Sequence, residues 1–319
     1  MGAALSLPSV GIVQISRAER ATSPVFIVGE GRSGTTILYR VLQKHPAFRP
    51  RAGNLWESKV LSHTDRAASF RSREPRTLFG YMSDNDACYD AFLTSIAPLR
   101  PLLWAGETTR RLAPFSRGMS LVWAASGHPL VVRSYFHHAR TARGVTRILE
   151  KTPDHVRHVD RLLRCYPRAR LLYIHRHPVD VYTSFLRRAE VDPGYSRWAE
   201  MSAEEFAARW ETRTMLALDA AARLSGSLLL LAYEHFTTRP EAAVRQICEF
   251  VAEPYDPEIV VEHKPDLTRR KADPHIFGSI TTKTKEWRDY ISKEDADVLQ
   301  NRLRPVMARL SYDAYDYDS

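Results

Sequence analysis

A chain of 319 residues with 44% hydrophobic residues can bury a sizeable core, as one large domain or two small ones. Its formal net charge of +9 suits an acidic ligand, but no zinc finger, RNA-binding aromatic signature or dense basic run favours nucleic acid. No apolar run reaches about 18 residues, so no membrane span is expected. Three widely separated cysteines, Cys88, Cys165 and Cys248, argue against a disulfide framework or a zinc site.

The chain alternates strand-like and helical patterns after a weakly patterned lead-in over residues 1–23. Apolar runs predict strands over 25–28, 171–174 and 228–232. Helical periodicity and caps predict helices over 35–44, 154–165, 203–224, 240–251 and 292–310. This order predicts an α/β, P-loop-like three-layer fold with a central parallel sheet flanked by helices. Residues 24–319 then form a single domain, and an insertion around 48–145 is the expected place for a substrate pocket.

The first strand leads into the most informative segment of the chain. An apolar run over 25–28 ends in a Gly-rich turn, and a helical pattern follows. In such an arrangement backbone N–H groups and the positive end of the helix dipole surround an anion. The frame from Gly29 to Gly34 has P-loop spacing, but Thr35 stands where a nucleotide kinase has its phosphate-binding lysine. The basic residue is instead Arg32, which predicts a site for a different anion.

A second anion site is predicted where the strand over 171–174 ends. Arg176 follows that strand, and Ser184 lies within the helix that starts after a proline-containing turn. A planar guanidinium binds phosphate oxygens in pairs, and the serine adds a hydroxyl donor on the same face. Two separate phosphate sites suit a ligand that carries phosphate at two positions.

The two segments resemble the cofactor motifs of sulfotransferases that use 3′-phosphoadenosine-5′-phosphosulfate (PAPS). The first matches their 5′-phosphosulfate loop at every position: Arg32, Ser33, Gly34, Thr35 and Thr36. Arg176 and Ser184 match the 3′-phosphate motif, and Arg188 stands where the tyrosylprotein branch has another phosphate-binding arginine. The resemblance implies transfer of the sulfuryl group from PAPS to a hydroxyl or amine, with 3′,5′-ADP as product and no metal.

The segment from Glu150 to Pro153 resembles a Glu-Lys-Thr-Pro segment of heparan-sulfate-type sulfotransferases. In that branch the lysine, here Lys151, lies beside the bridging oxygen of the phosphosulfate. An ammonium there stabilises the negative charge that develops when the S–O bond breaks. The alternative is a solvent-exposed lysine at a helix start, which Thr152-Pro153 also fits.

The resemblance implies two kinds of general base. Glu57 lies in the region that supplies a glutamate base in the heparan and tyrosylprotein branches, and a positioned carboxylate can remove the acceptor proton. A surface glutamate is the competing interpretation. Cytosolic steroid and phenol sulfotransferases use histidine, for which His155 and then His158 are candidates. A histidine on a helix face is more often structural, so Glu57 is preferred and His155 comes second.

Further positions complete the expected nucleotide site. The resemblance places Tyr233 against the adenine side of the cofactor, although a packed aromatic residue at a strand end is the alternative. Lys283 and Lys285 correspond to a late basic loop that closes over the nucleotide.

The acceptor stays open between a small molecule, a lipid, a glycan and a peptide, and a homodimer stays open too. Golgi sulfotransferases carry an N-terminal membrane anchor, and no anchor or signal-peptide pattern is found here, so a cytoplasmic location is expected. Two alternatives are a P-loop-type nucleotide kinase and a non-catalytic anion or nucleic-acid binding protein. Thr35 argues against the kinase, and the intact Arg32, Lys151, Arg176 and Ser184 argue against a degenerate, non-catalytic sulfotransferase.

Overall fold

Four parallel strands form the centre of the protein, for which the computed structural model describes residues 16–51, 57–58, 61, 129–224, 226–261 and 287–315. The strands are β1 (Val25–Gly29), β2 (Leu149–Lys151), β3 (Arg170–His175) and β4 (Leu228–Ala232), and their order in the sheet is β2-β1-β3-β4. Every residue of β1 is buried, as expected for an apolar run covered on both faces of a parallel sheet. The predicted α/β fold is confirmed.

Helices connect and cover these strands. They are α1 (Arg17–Thr22), α2 (Thr35–Leu42), α3 (Pro129–Arg143), α4 (Val159–Cys165), α5 (Pro178–Val191), α6 (Ala203–Arg223), α7 (Tyr233–Thr238), α8 (Pro240–Val251) and α9 (Lys293–Arg309). Short 3₁₀ turns span Pro153–His158, Pro193–Trp198, Pro257–Ile259 and Trp287–Asp289. The segment predicted as one helix over 154–165 is therefore a 3₁₀ turn followed by α4.

Local capping explains where two of the helices begin. Ser202 caps α6 by a reciprocal capping box with Glu205. The predicted cap at Ser292 is confirmed, since its hydroxyl accepts from the Asp295 backbone N–H at 3.0 Å.

The helix α3 comes from the end of the predicted insertion and packs on the sheet. The Phe136 ring lies edge-on to Phe26 of β1, with the ring centroids 5.5 Å apart. The rest of the insertion, including the expected substrate pocket and Cys88, lies almost entirely outside the described residues. Cys165 and Cys248 are buried free thiols.

The described helices include none that is long and apolar enough to cross a membrane. The cytoplasmic location and the homodimer stay predictions.

A buried ion-pair cluster fastens the N-terminal segment to the domain. The Arg147 guanidinium donates to the Ser23 and Val251 carbonyl oxygens at 2.5 and 2.6 Å and to the Glu253 carboxylate at 3.1 Å. Glu253 also pairs with Arg20 of α1 at 3.0 Å. Burial lowers the pKa of Arg147 to about 10, and the charge of Glu253 opposes that shift.

Glu253→Gln should destabilise the protein by about 3 kcal/mol, because it leaves the buried Arg147 guanidinium without its counter-charge. The free energy of unfolding in urea is the measurement. The matched control is Glu249→Gln, an exposed change near the end of α8, with an expected effect within about 0.5 kcal/mol. Equal effects of the two changes would contradict the role given to the cluster.

Candidate active site

Four of the predicted site elements that the structure describes meet at the carboxyl edge of the sheet. The loop over 30–34 follows β1, Lys151 is the last residue of β2, Arg176 follows β3, and Tyr233 follows β4. In-register pairing between β1, β3 and β4 keeps the strand ends level. Ligands of open parallel sheets bind at this edge, so the sheet itself brings these distant residues together.

Glycine is required at the centre of the loop. Gly34 has a φ of +93°, and a Cβ added there would lie 2.4 Å from Cδ2 of Tyr233. Arg32 also has a left-handed φ, of 66°, which is uncommon for a residue with a side chain and is found at functional sites. Thr35 is buried at the first position of α2, where a kinase would have its lysine.

The loop presents an unused polar atom. The Ser33 side chain is fully buried, and its Oγ has no hydrogen-bond partner among the described residues. Buried hydroxyl groups are usually hydrogen-bonded, so an orphaned one beside a helix N-terminus fits an anion site.

A hydrogen bond joins the two anion motifs. Arg32 Nε in the loop donates to Ser184 Oγ on α5 at 3.0 Å, across 152 positions of sequence. The two segments that the sequence predicts as separate anion sites therefore adjoin each other in the fold.

Arg176 is held between an acidic and an aromatic side chain. Its Nη2 lies 3.6 Å from Asp180 Oδ2, and its guanidinium carbon lies 4.5 Å from the centroid of the Tyr233 ring. Tyr233 thus packs against both Gly34 and Arg176. Arg188, further along α5, pairs with Asp192 at 2.5 Å.

Lys151 and Glu57 form a direct ion pair. The lysine side chain is 5% exposed and that of the glutamate 28%. This burial excludes the solvent-exposed, helix-entry lysine considered above. The predicted cation and the predicted base, far apart in sequence, are neighbours in space.

His155 belongs to a buried network around Glu150. The Glu150 carboxylate accepts from Ser58 N and Oγ, both at 2.9 Å, from Thr152 Oγ1 at 2.5 Å and from His155 Nδ1 at 3.2 Å. Burial alone would raise the pKa of Glu150, but His155 and these hydrogen bonds outweigh it and lower the pKa. His155 Nε2 accepts from Leu61 N–H at 3.3 Å, so both ring nitrogens are engaged. His158, at the end of the same 3₁₀ turn, is also buried.

Sequence reasoning missed the charge network beneath the loop. Glu30 is 1% exposed and accepts from Gly31 N at 2.9 Å, from Arg209 at 2.7 Å and from Arg213 at 2.9 Å. Arg213 also contacts Asp154 at 2.5 Å, in the turn after β2. Two arginines four residues apart on a helix face were the available signal, since a buried acid in the loop needs a counter-charge.

Residues 312–315, here called the C-terminal segment, pack behind the Arg176 motif. Sequence reasoning also missed these contacts. The Tyr312 hydroxyl donates to Glu234 Oε2 at 2.8 Å and contacts His175 Nδ1 at 2.8 Å. His177 Nε2 contacts the Asp313 carbonyl oxygen at 3.1 Å. Burial lowers the pKa of both His175 and His177 to about 4, so both rings are neutral at pH 7.

The two predicted lysines of the late basic loop, Lys283 and Lys285, lie outside the described residues. The 3₁₀ turn that follows them begins at the buried Trp287.

Within the described ranges, no cluster of three or more His, Cys, Asp or Glu side chains could hold a metal ion.

Gly34→Ala should weaken binding of 3′,5′-ADP at least about tenfold, because its new methyl group would displace Tyr233 and the loop. Gly226→Ala is the matched control: Gly226 has a φ of +81°, and a Cβ there would meet nothing within 4 Å. It carries the backbone strain, about 1 kcal/mol, without the clash. Calorimetric titration of both variants measures the difference, and equal loss of binding would disprove the steric argument.

Comparison with solved structures finds the α/β fold of this protein in two others. The structure is similar to the sulfotransferase domain of the Synechococcus PCC 7002 olefin synthase, with 22% identity, a TM-score of 0.53 and coverage of 92% of this chain and 96% of that chain. It is also similar to sulfotransferase STF9 from Mycobacterium avium, with 14% identity, a TM-score of 0.50 and coverage of 93% and 79%.

Sequence comparison extends this likeness. An uncharacterized protein of Aquifex aeolicus (strain VF5) is 22% identical over 284 residues, which are 86% of this chain. The chain spans only 31% of that relative's length. The family model of the Sulfotransferase family matches residues 24–257, a range that includes the loop, Lys151, Arg176 and Ser184. Because this match covers most of the chain, the protein belongs to the sulfotransferase family.

Proposed function

We propose that this chain transfers a sulfuryl group from PAPS to a hydroxyl or amine of an acceptor. The observation that carries the proposal is the hydrogen bond between Arg32 and Ser184, which unites the two anion motifs in one site. A ligand that fills this site needs a phosphate group for each motif, and PAPS carries phosphate on both the 5′ and the 3′ side of its ribose.

The donors around the site fit such a ligand. We assign the 5′-phosphosulfate to the loop, where Ser33 Oγ lacks a hydrogen-bond partner among the described residues and α2 begins. We assign the 3′-phosphate to Arg176 and Ser184, with Arg188 near them on α5. Tyr233 lies between these two groups of donors, which suits a contact with the nucleoside. Closure by Lys283 and Lys285 stays part of the proposal.

PAPS supplies the sulfuryl group and, in its 5′-phosphate, a leaving group. In the proposed reaction Glu57 removes the proton of the acceptor hydroxyl or amine as the new bond to sulfur forms. The S–O bond to the 5′-phosphate breaks in line, and its electron pair stays on the phosphate oxygen. Lys151 and Arg32 stabilise that charge, so the products are the sulfated acceptor and 3′,5′-ADP.

The contact between Lys151 and Glu57 is compatible with the role of Glu57 as base and of Lys151 as the cation at the leaving group. A carboxylate has two oxygens, so Glu57 can contact the ammonium through one and receive a proton through the other. The direct contact between the two side chains supports assigning the proposed base and the proposed leaving-group cation to one sulfuryl-transfer centre. We prefer Glu57 to His155 because the imidazole nitrogens are engaged by Glu150 and Leu61 in a fully buried network.

The acceptor is a small molecule, lipid, glycan or peptide, and the pocket that selects it is assigned to the insertion. The nucleotide-kinase alternative has weaker support, because Thr35 rather than lysine begins α2.

Glu57→Gln should lower sulfuryl transfer by roughly 10²- to 10⁴-fold, because it removes the base and keeps the shape of the side chain. The assay follows formation of 3′,5′-ADP from PAPS with a panel of phenol, primary alcohol and primary amine acceptors. Affinity for 3′,5′-ADP should change less than about threefold, since the base contacts the acceptor rather than the nucleotide.

His155→Gln is the matched comparison. It should lower thermal stability, because it breaks the buried Glu150 network, while turnover by the folded fraction stays within about tenfold of the original. Loss of turnover in His155→Gln with full activity in Glu57→Gln would transfer the role of base to the histidine.

A further inference from the structure

The end of the described chain is locked into the fold at Tyr315. The Gln300 side-chain amide of α9 donates to the Tyr315 carbonyl oxygen at 3.1 Å, and its oxygen accepts from the Tyr315 N–H. The Tyr315 ring stacks on His177, with centroids 3.7 Å apart and an interplanar angle of 11°. On another side it faces Trp287 at 5.9 Å and 24°. These contacts fix both the backbone and the ring of Tyr315.

The fixed ring aims its hydroxyl at the acid that holds Arg176. Tyr315 donates to Asp180 Oδ2 at 3.1 Å, and the same oxygen lies 3.6 Å from Arg176 Nη2. The Asp180 side chain is 4% exposed, so these protein groups, rather than bulk water, must satisfy its charge. Tyr315, Asp180 and Arg176 therefore form a chain from the C-terminal segment to the anion site.

We propose that Tyr315 is a positioning residue of the 3′-phosphate site, acting through Asp180 to orient the Arg176 guanidinium. This inference rests on the proposed function, since it assigns the 3′-phosphate to Arg176. Tyr315 is the closer of the two groups at Asp180 Oδ2, so it takes up hydrogen-bonding capacity of the carboxylate. The carboxylate then holds the guanidinium in place without drawing it away from the phosphate.

The direction of the guanidinium is what makes this positioning matter. Arg176 binds phosphate well only when its planar N–H groups face the oxygens, because paired hydrogen bonds depend strongly on angle. The Tyr233 ring limits the guanidinium from one side at 4.5 Å, and Asp180 limits it from another. Burial raises the pKa of Asp180 to about 6, against the opposing effects of Arg176 and Tyr315, so the carboxyl is ionised at pH 7.5.

Tyr315→Phe tests the positioning role with a change of one oxygen atom. Calorimetric titration at pH 7.5 with 3′,5′-ADP and with 5′-AMP compares ligands that differ only in the 3′-phosphate. The variant should lose about tenfold in affinity for 3′,5′-ADP and less than about twofold for 5′-AMP. A purely structural role of Tyr315 would weaken both ligands alike, so the ratio of the two affinities is the deciding quantity.

Tyr182→Phe, on the helix α5 that also carries Asp180, is the matched control. Its hydroxyl donates to the Met201 carbonyl oxygen at 2.7 Å and makes no contact with the chain from Tyr315 to Arg176, so the affinity ratio should not change. Asp180→Asn should also lower the ratio of the affinity for 3′,5′-ADP to the affinity for 5′-AMP. Adding Tyr315→Phe to Asp180→Asn should then lower it no further, because the hydroxyl acts through that carboxylate.

Two results would overturn the proposal. An unchanged affinity ratio in Tyr315→Phe, when the original protein prefers 3′,5′-ADP, rejects the positioning role and leaves the proposed function standing. An original protein that binds 5′-AMP as tightly as 3′,5′-ADP rejects both.

Discussion

Parallel strands that end level with one another place the described loop, Lys151, Arg176 and Tyr233 at one edge of the sheet. This geometry depends on the buried apolar runs of β1 and β3 at the centre. The loop, Lys151, Arg176 and Tyr233 each follow or end a different strand, so none could reach the others without the sheet. The hydrogen bond from Arg32 to Ser184 closes the arrangement by linking the loop of β1 to the helix after β3.

Charge balance is the second constraint on this edge. Four described cations of the site or of the network beneath it contact an acid, in the pairs Lys151–Glu57, Arg176–Asp180, Arg188–Asp192 and Arg213–Glu30. Removing a cation from water is expensive without such a partner, so the acids stabilise the site before a ligand arrives. They also hold the side chains in fixed positions, which reduces the conformational entropy lost on binding. In the C-terminal segment, Tyr315 donates a hydrogen bond to Asp180 and so helps to hold the acid that pairs with Arg176.

The sequence predicted the parts whose signals are local. Strands β1, β3 and β4 are apolar runs, and each anion motif lies within one strand–turn–helix segment. The strand β2 was missed because it has three residues, two of them charged, and the burial of Glu150 depends on distant groups such as Ser58. Contacts of Glu30 with α6 and of Tyr315 with Asp180 escaped prediction for the same reason, since their partners are separated by more than a hundred residues.

Calorimetric titration with 3′,5′-ADP, 5′-AMP and ATP·Mg²⁺, on the original chain and on Arg176→Ala, tests the central claim that the two anion motifs form one site. The account predicts that 3′,5′-ADP binds most tightly and that Arg176→Ala removes most of its advantage over 5′-AMP. Binding of ATP·Mg²⁺ with no preference for a 3′-phosphate, unaffected by Arg176→Ala, would contradict it and favour the kinase alternative.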